Sequence, residues 1–110
     1  MLKHSIIMAL IATTLPSICI PRVFIEITKQ EIIITFEKIL GKGSVDRVDL
    51  IRKHSGPETY QRAFVHFTNH CVENNHYTIM SQRLHKGLDV KIVYSEYWFW
   101  KCTISRTPVR

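Results

Sequence analysis

Tyr60-Gln61-Arg62-Ala63-Phe64-Val65-His66-Phe67 is the stretch on which the reading of this chain turns. Ala63, Val65 and Phe67 alternate with Arg62, Phe64 and His66. Successive side chains of a β-strand point to opposite faces. The segment therefore predicts a strand with one wholly apolar face and a second face carrying a cation, an aromatic ring and an imidazole. A flat ring flanked by positive charge on an open sheet is suited to stacking a base and holding a phosphate.

The flanking segments supply the partners of this strand. Residues 17–24 read as a first strand, with Ile18 and Ile20 on one face and Cys19 on the other. Pro21 lacks an N–H, so ladder pairing should weaken there. Thr28-Lys29-Gln30-Glu31 matches a capping box. Behind it, Ile32, Ile33, Phe36, Ile39 and Leu40 recur at spacings of three and four, one apolar stripe of a helix. Gly41 and Gly43 end that helix. Residues 45–53 read as a second strand, with Val48 and Leu50 on one face and Arg47, Asp49, Ile51 and Lys53 on the other. Ser55-Gly56-Pro57-Glu58 turns the chain into the central octamer.

Beyond the octamer, residues 69–86 predict a second helix whose apolar content is Val72, Tyr77, Ile79, Met80 and Leu84, stopped by Gly87. Residues 89–94 form the last expected strand, with Val90, Ile92 and Tyr94 on one side, and a tail follows. The order is β-α-β-β-α-β. That implies an α+β fold, the ferredoxin-like sandwich in which two helices cover one face of a four-stranded antiparallel sheet.

At this point the chain resembles the RNA-recognition motif (RRM) family. Residues 60–67 align without gaps to that family's longer ribonucleoprotein octamer. Ala63, Val65 and Phe67 match its core positions, and Phe64 matches one of its two stacking aromatics. Arg62 stands at the other aromatic position, and Gln61 replaces the usual glycine. The shorter ribonucleoprotein motif falls on residues 18–23, with Ile18 and Ile20 as core and Cys19 at its aromatic position. More narrowly, the chain is similar to small RRM-like proteins of nucleocytoplasmic large DNA viruses. The residues that carry this are Ile20-Pro21-Arg22-Val23-Phe24, Ala63-Phe64-Val65-His66-Phe67 and Trp98-Phe99-Trp100-Lys101. The resemblance covers about residues 17–104. It implies an open sheet face that binds single-stranded nucleic acid, RNA in preference to DNA.

Bulk properties agree with one small domain. A chain of 110 residues, 45% hydrophobic and 22% charged, has the composition of an ordinary globular protein. Fifteen Lys and Arg against nine Asp and Glu give a net charge of +6, which favours a polyanionic partner. The three cysteines, Cys19, Cys71 and Cys102, are odd in number and contain no CxxC pair. They argue against a disulfide framework and for a reducing intracellular setting. Residues 1–16 have a basic start and an apolar run closed by Pro16, the shape of a signal-peptide core. That run is too short to span a bilayer, and it lacks a small-x-small cleavage site. The reading is an apolar extension over 1–16, the RRM-like domain over 17–104 and a basic tail over 105–110. Secretion stays open as an alternative, and a membrane partner is not favoured.

The chemistry-bearing residues sort into few groups. No paired acids sit near a histidine in a known motif, and no glycine-rich phosphate loop exists, so the chain reads as non-catalytic, without a cofactor. His66, His70, Cys71 and His76 show an H-x3-H spacing seen in zinc sites. No second cysteine pair accompanies it, so these read as scattered histidines and no metal is expected. Arg47, Arg52, Lys53 and His54 form one basic edge, and Arg83, His85 and Lys86 another. Four of the eleven aromatic residues fall together in Tyr97-Trp98-Phe99-Trp100. A strand or helix cannot bury all four on one side. The run caps the open sheet, supplies stacking rings, or docks on a partner protein.

The expected ligand contacts are Phe64 as the stacking ring, Arg62, Arg22 and Lys101 for phosphate, Cys19 and His66 beside them, and Trp98 and Trp100 widening the platform. A protein-interaction module that docks through the aromatic run is the alternative.

Overall fold

The structure, a computed structural model, describes residues 15–68 and 75–105. Its elements run β1 (Ile18–Val23), α1 (Lys29–Leu40), β2 (Val45–Ser55), β3 (Glu58–Phe67), α2 (Asn75–His85), β4 (Val90–Val93) and β5 (Phe99–Ile104). The start of α1 is set locally. The Thr28 hydroxyl oxygen accepts from the Glu31 N–H at 3.1 Å, and a Glu31 carboxylate oxygen accepts from the Thr28 N–H at 3.2 Å. At the other end the Gly41 N–H donates to the Glu37 carbonyl with φ +107°, a conformation that a side chain would strain. Replacing Thr28 with alanine should cost about 1 kcal/mol of stability by removing this cap, readable in a urea melt.

The sheet is five-stranded and antiparallel throughout, in the order β2-β3-β1-β5-β4. This corrects the four-stranded ferredoxin-like sandwich expected from the sequence. Residues expected to pair as the last strand beside β1 become β4 at the outer edge. Their place is taken by β5, from the segment read as a tail. The physical reason is core packing. Trp100 and Cys102 of β5 are buried and Ile104 packs against the core, whereas β4 offers only Val90 and Ile92. The longer strand, with three core-facing residues against two, takes the inner position, and the two form a hairpin.

β2 and β3 pair along their whole length from Ser55↔Glu58 to Val45↔Phe67. Gly56, at φ +59°, leads the two-residue connection, the position at which hairpin turns demand a positive φ. One face of the sheet meets the helices. Ile18, Ile20, Val48, Ala63, Val65 and Phe67 lie there against Ile32, Phe36 and Leu40 of α1 and Tyr77, Met80 and Leu84 of α2. Leu15 is also buried in this core. Ile79, counted in the apolar content of the second helix, faces outward instead. Residues 69–74 of that predicted helix, with Val72, lie outside the described residues.

Candidate functional site

The opposite face has no helix among the described residues. Alternation along β3 puts Tyr60, Arg62, Phe64 and His66 on it, because Ala63 and Val65 are fully buried on the other. Register then sets the neighbours. Phe64 stands between Asp49 of β2 and Cys19 of β1, and Cys19 stands beside Thr103 of β5. Phe64 is half-buried and does not join the core. Arg62 lies on the same strand face, two residues away, and its Nε is buried without a hydrogen-bond partner. Burial pushes the Cys19 thiol up despite the opposing charge of Arg62, so it sits on this face as a protonated, unreactive group. Lys101 shares the face from β5, with its ammonium 3.6 Å from Asp89.

His66 is placed differently from a ligand contact. It is buried, with Nδ1 hydrogen-bonded to Ser17 Oγ at 2.7 Å and Nε2 to Asp49 Oδ2 at 3.0 Å. Both ring nitrogens are spent tying the start of β1 to β3 and β2. Burial works to raise the Asp49 carboxyl, but the hydrogen bond from His66 and the charge of Arg47 outweigh it and hold the group below the ordinary carboxylate range. A carboxylate depressed in the folded state contributes stability that is present above its unfolded value and lost as pH falls through the folded one. Acid unfolding should therefore steepen below about pH 4. Asp49→Asn should flatten that limb of a circular-dichroism titration; identical limbs in both proteins would exclude this role. Of the grouping with His70, Cys71 and His76, His70 and Cys71 lie outside the described residues.

The remaining sequence-nominated residues gather at one end of the sheet. β1 pairs with β5 at Ile18↔Ile104 and Cys19↔Thr103, and the pairing stops there. Pro21 has no N–H to continue it, and the β1–β3 register slips between Ile20 and Val23. The two strands part, and a cleft of about 270 Å³ opens between them. Arg22 and Phe24 form one bank, Trp98 and Phe99 the other, and Tyr60 closes the end. Arg22 pairs with Glu58, and its guanidinium lies 4.3 Å from the Tyr60 ring centre. Trp98 meets Phe24 edge-on at 5.2 Å and remains 54% exposed. Trp100 is only 2% exposed, stacked between Tyr94 at 4.2 Å and Phe36 at 6.4 Å. It is a core residue that floors the cleft, and not a free platform.

The structure thus splits the nominated set. Cys19, Arg62, Phe64 and Lys101 share the open face, His66 lies on it but is buried and held by Ser17 and Asp49, and Arg22, Trp98 and Trp100 belong to the cleft. Sequence reasoning missed Phe24, Glu58, Tyr60 and Tyr94 there. The signal was Pro21, whose missing donor is what lets the strands separate. It also left Gln61 without a purpose. Its side-chain amide donates to the Phe24 and Ile27 carbonyls, both at 2.9 Å, and so holds the loop that carries Phe24. No protein-family model, no curated protein and no solved structure matches this chain.

Proposed function

We propose that this chain is a non-catalytic module that binds single-stranded nucleic acid across the sheet face turned away from the helices, RNA in preference to DNA. The observation that carries the reading is Phe64. Its ring lies half-exposed on the helix-free face, beside the partly exposed side chain of Arg62 and on the same face as Lys101. A phosphate would meet the part of the Arg62 side chain that remains exposed on this face. The net charge of +6 and the likeness of residues 60–67 to the RRM octamer support the same partner. The cleft beyond Tyr60 offers a second aromatic surface in line with the first. An intracellular setting belongs to this reading, supported by the free thiols of Cys19 and Cys102. No helix among the described residues is long and apolar enough to cross a membrane.

The test is a titration of short single-stranded oligonucleotides at rising salt. Affinity should fall linearly on a log–log plot, because the fixed number of counterions displaced from the phosphates gains less entropy on release into higher salt. A flat titration at low salt would remove the proposal. It would favour the second reading, a protein-docking module, for which Tyr97, Trp98 and Phe99 stand exposed at the β4–β5 turn.

A further inference from the structure

The two edges of the sheet are guarded unequally. β2, at one edge, carries Asp46, Arg47, Arg52, Lys53 and His54 along its length, the kind of charge that keeps an edge from pairing with another chain. β4, at the other, reads Val90-Lys91-Ile92-Val93. Its one charge is Lys91, and that ammonium is drawn back over the Phe99 ring at 5.2 Å.

Among the described residues, the hydrogen-bond pattern tells which backbone groups of β4 have no partner. The Tyr94 N–H donates to the Trp98 carbonyl at 3.2 Å, and the register continues through Ile92↔Trp100 and Val90↔Cys102. In an antiparallel ladder, hydrogen-bonded and non-bonded pairs alternate. Tyr94, Ile92 and Val90 therefore point their amides toward β5, while Lys91 and Val93 point theirs out from the sheet. On the helix side of the same edge runs a groove of about 260 Å³, walled by Ile39 of α1 and by Ile79 and Met80 of α2. Two apolar side chains stand over this edge in solvent, Val93 at 66% exposure and Ile79 at 55%.

We infer that β4 is a self-association edge that pairs antiparallel with β4 of a second copy, centred on Ile92. That register sets Lys91 of each copy opposite Val93 of the other, in hydrogen-bonded positions that use every outward N–H and C=O of those residues. A register centred on Lys91 would instead set two lysines face to face, which is repulsive. Spacing suits the helices as well. α2 packs over β4 and β5 alike. Adjacent strands lie about 4.8 Å apart, so the two copies of α2 meet at roughly the 8–10 Å of packed helices. Ile79 of each then fills the groove of the other. The contact is isologous, as a two-fold dimer requires. It would leave both helix-free faces on the same side of one continuous sheet, and it stands whether or not those faces bind nucleic acid.

Sedimentation equilibrium of the full chain up to millimolar concentration tests this. A monomer–dimer equilibrium is expected, with the Lys91 and Val93 amides gaining hydrogen-exchange protection as the dimer fills. Val93→Pro removes one outward N–H and leaves the β4–β5 bonds intact, since that amide does not face β5. Ile79→Glu puts a charge in the groove from an already exposed position. Each should weaken dimerisation at least tenfold while leaving the circular-dichroism spectrum unchanged. A dimer that survives both substitutions overturns the proposal. So does a chain that stays monomeric at millimolar concentration, and the edge would then be left to an extended segment of another protein.

Discussion

Trp100→Ala is expected to come close to unfolding the protein, whereas Trp98→Ala, two residues away, should scarcely disturb it. Trp100 is buried in the stack Tyr94–Trp100–Phe36, which joins the end of β4, β5 and α1. Removing a buried tryptophan ring typically costs about 3–5 kcal/mol through lost transfer energy and the cavity left behind. A domain of this size has a total stability of about 5–15 kcal/mol, so that loss is a large fraction of it. The melting temperature should fall by roughly 12 °C or more. Trp98 is half in solvent and touches Phe24 edge-on, a contact worth about 0.5–1.5 kcal/mol. Thermal melts of the two variants side by side check this. Equal losses would mean that the side chains of the aromatic run do not divide between core and surface as described.

Phe64→Ala should do the reverse, sparing the fold and removing the ligand. The ring lies outside the core, so its loss forfeits cross-strand contacts with Cys19 and Asp49 worth about 0.2–1 kcal/mol each. One base–aromatic stack contributes about 1–3 kcal/mol, so oligonucleotide affinity should drop roughly five- to hundredfold. Arg62→Ala should weaken binding of every sequence alike and reduce the salt slope by about one. If Phe64→Ala binds as tightly as the parent chain while Trp98→Ala does not, the cleft and not the sheet face is the principal contact. If neither variant changes affinity, the aromatic surface is not the binding surface at all.

The difference between these two rings follows from how strands expose their sequence. In residues 60–67 apolar and polar positions alternate, so parity alone tells which side chain faces the helices, and Ala63, Val65 and Phe67 are buried as that parity requires. In residues 97–100 both parities are aromatic, and the period of two is invisible. Trp100, Cys102 and Ile104 do form an inward row, but only the choice of β5 as the neighbour of β1 shows it. The same choice displaced β4 and produced the fifth strand. His66 is a further case. Its face was legible, but its environment was not. Ser17, just ahead of β1, and Asp49 on β2 meet it, and their separations of 49 and 17 residues leave no local trace.

Elements governed by neighbours a few positions apart were therefore readable from residue order alone. The Thr28–Glu31 cap, the apolar stripe of α1, the Gly56-Pro57 turn and the alternation of β3 all depend on geometry that repeats within one turn or one pleat. Which strands become neighbours was decided by the folded molecule. Strand order depends on which distant apolar surfaces fill the space beneath the helices, and a pattern of period two does not name its partner. The cleft at Pro21 joins both kinds of cause. One residue supplied a missing donor, and the arrival of β5 beside it turned that absence into an opening.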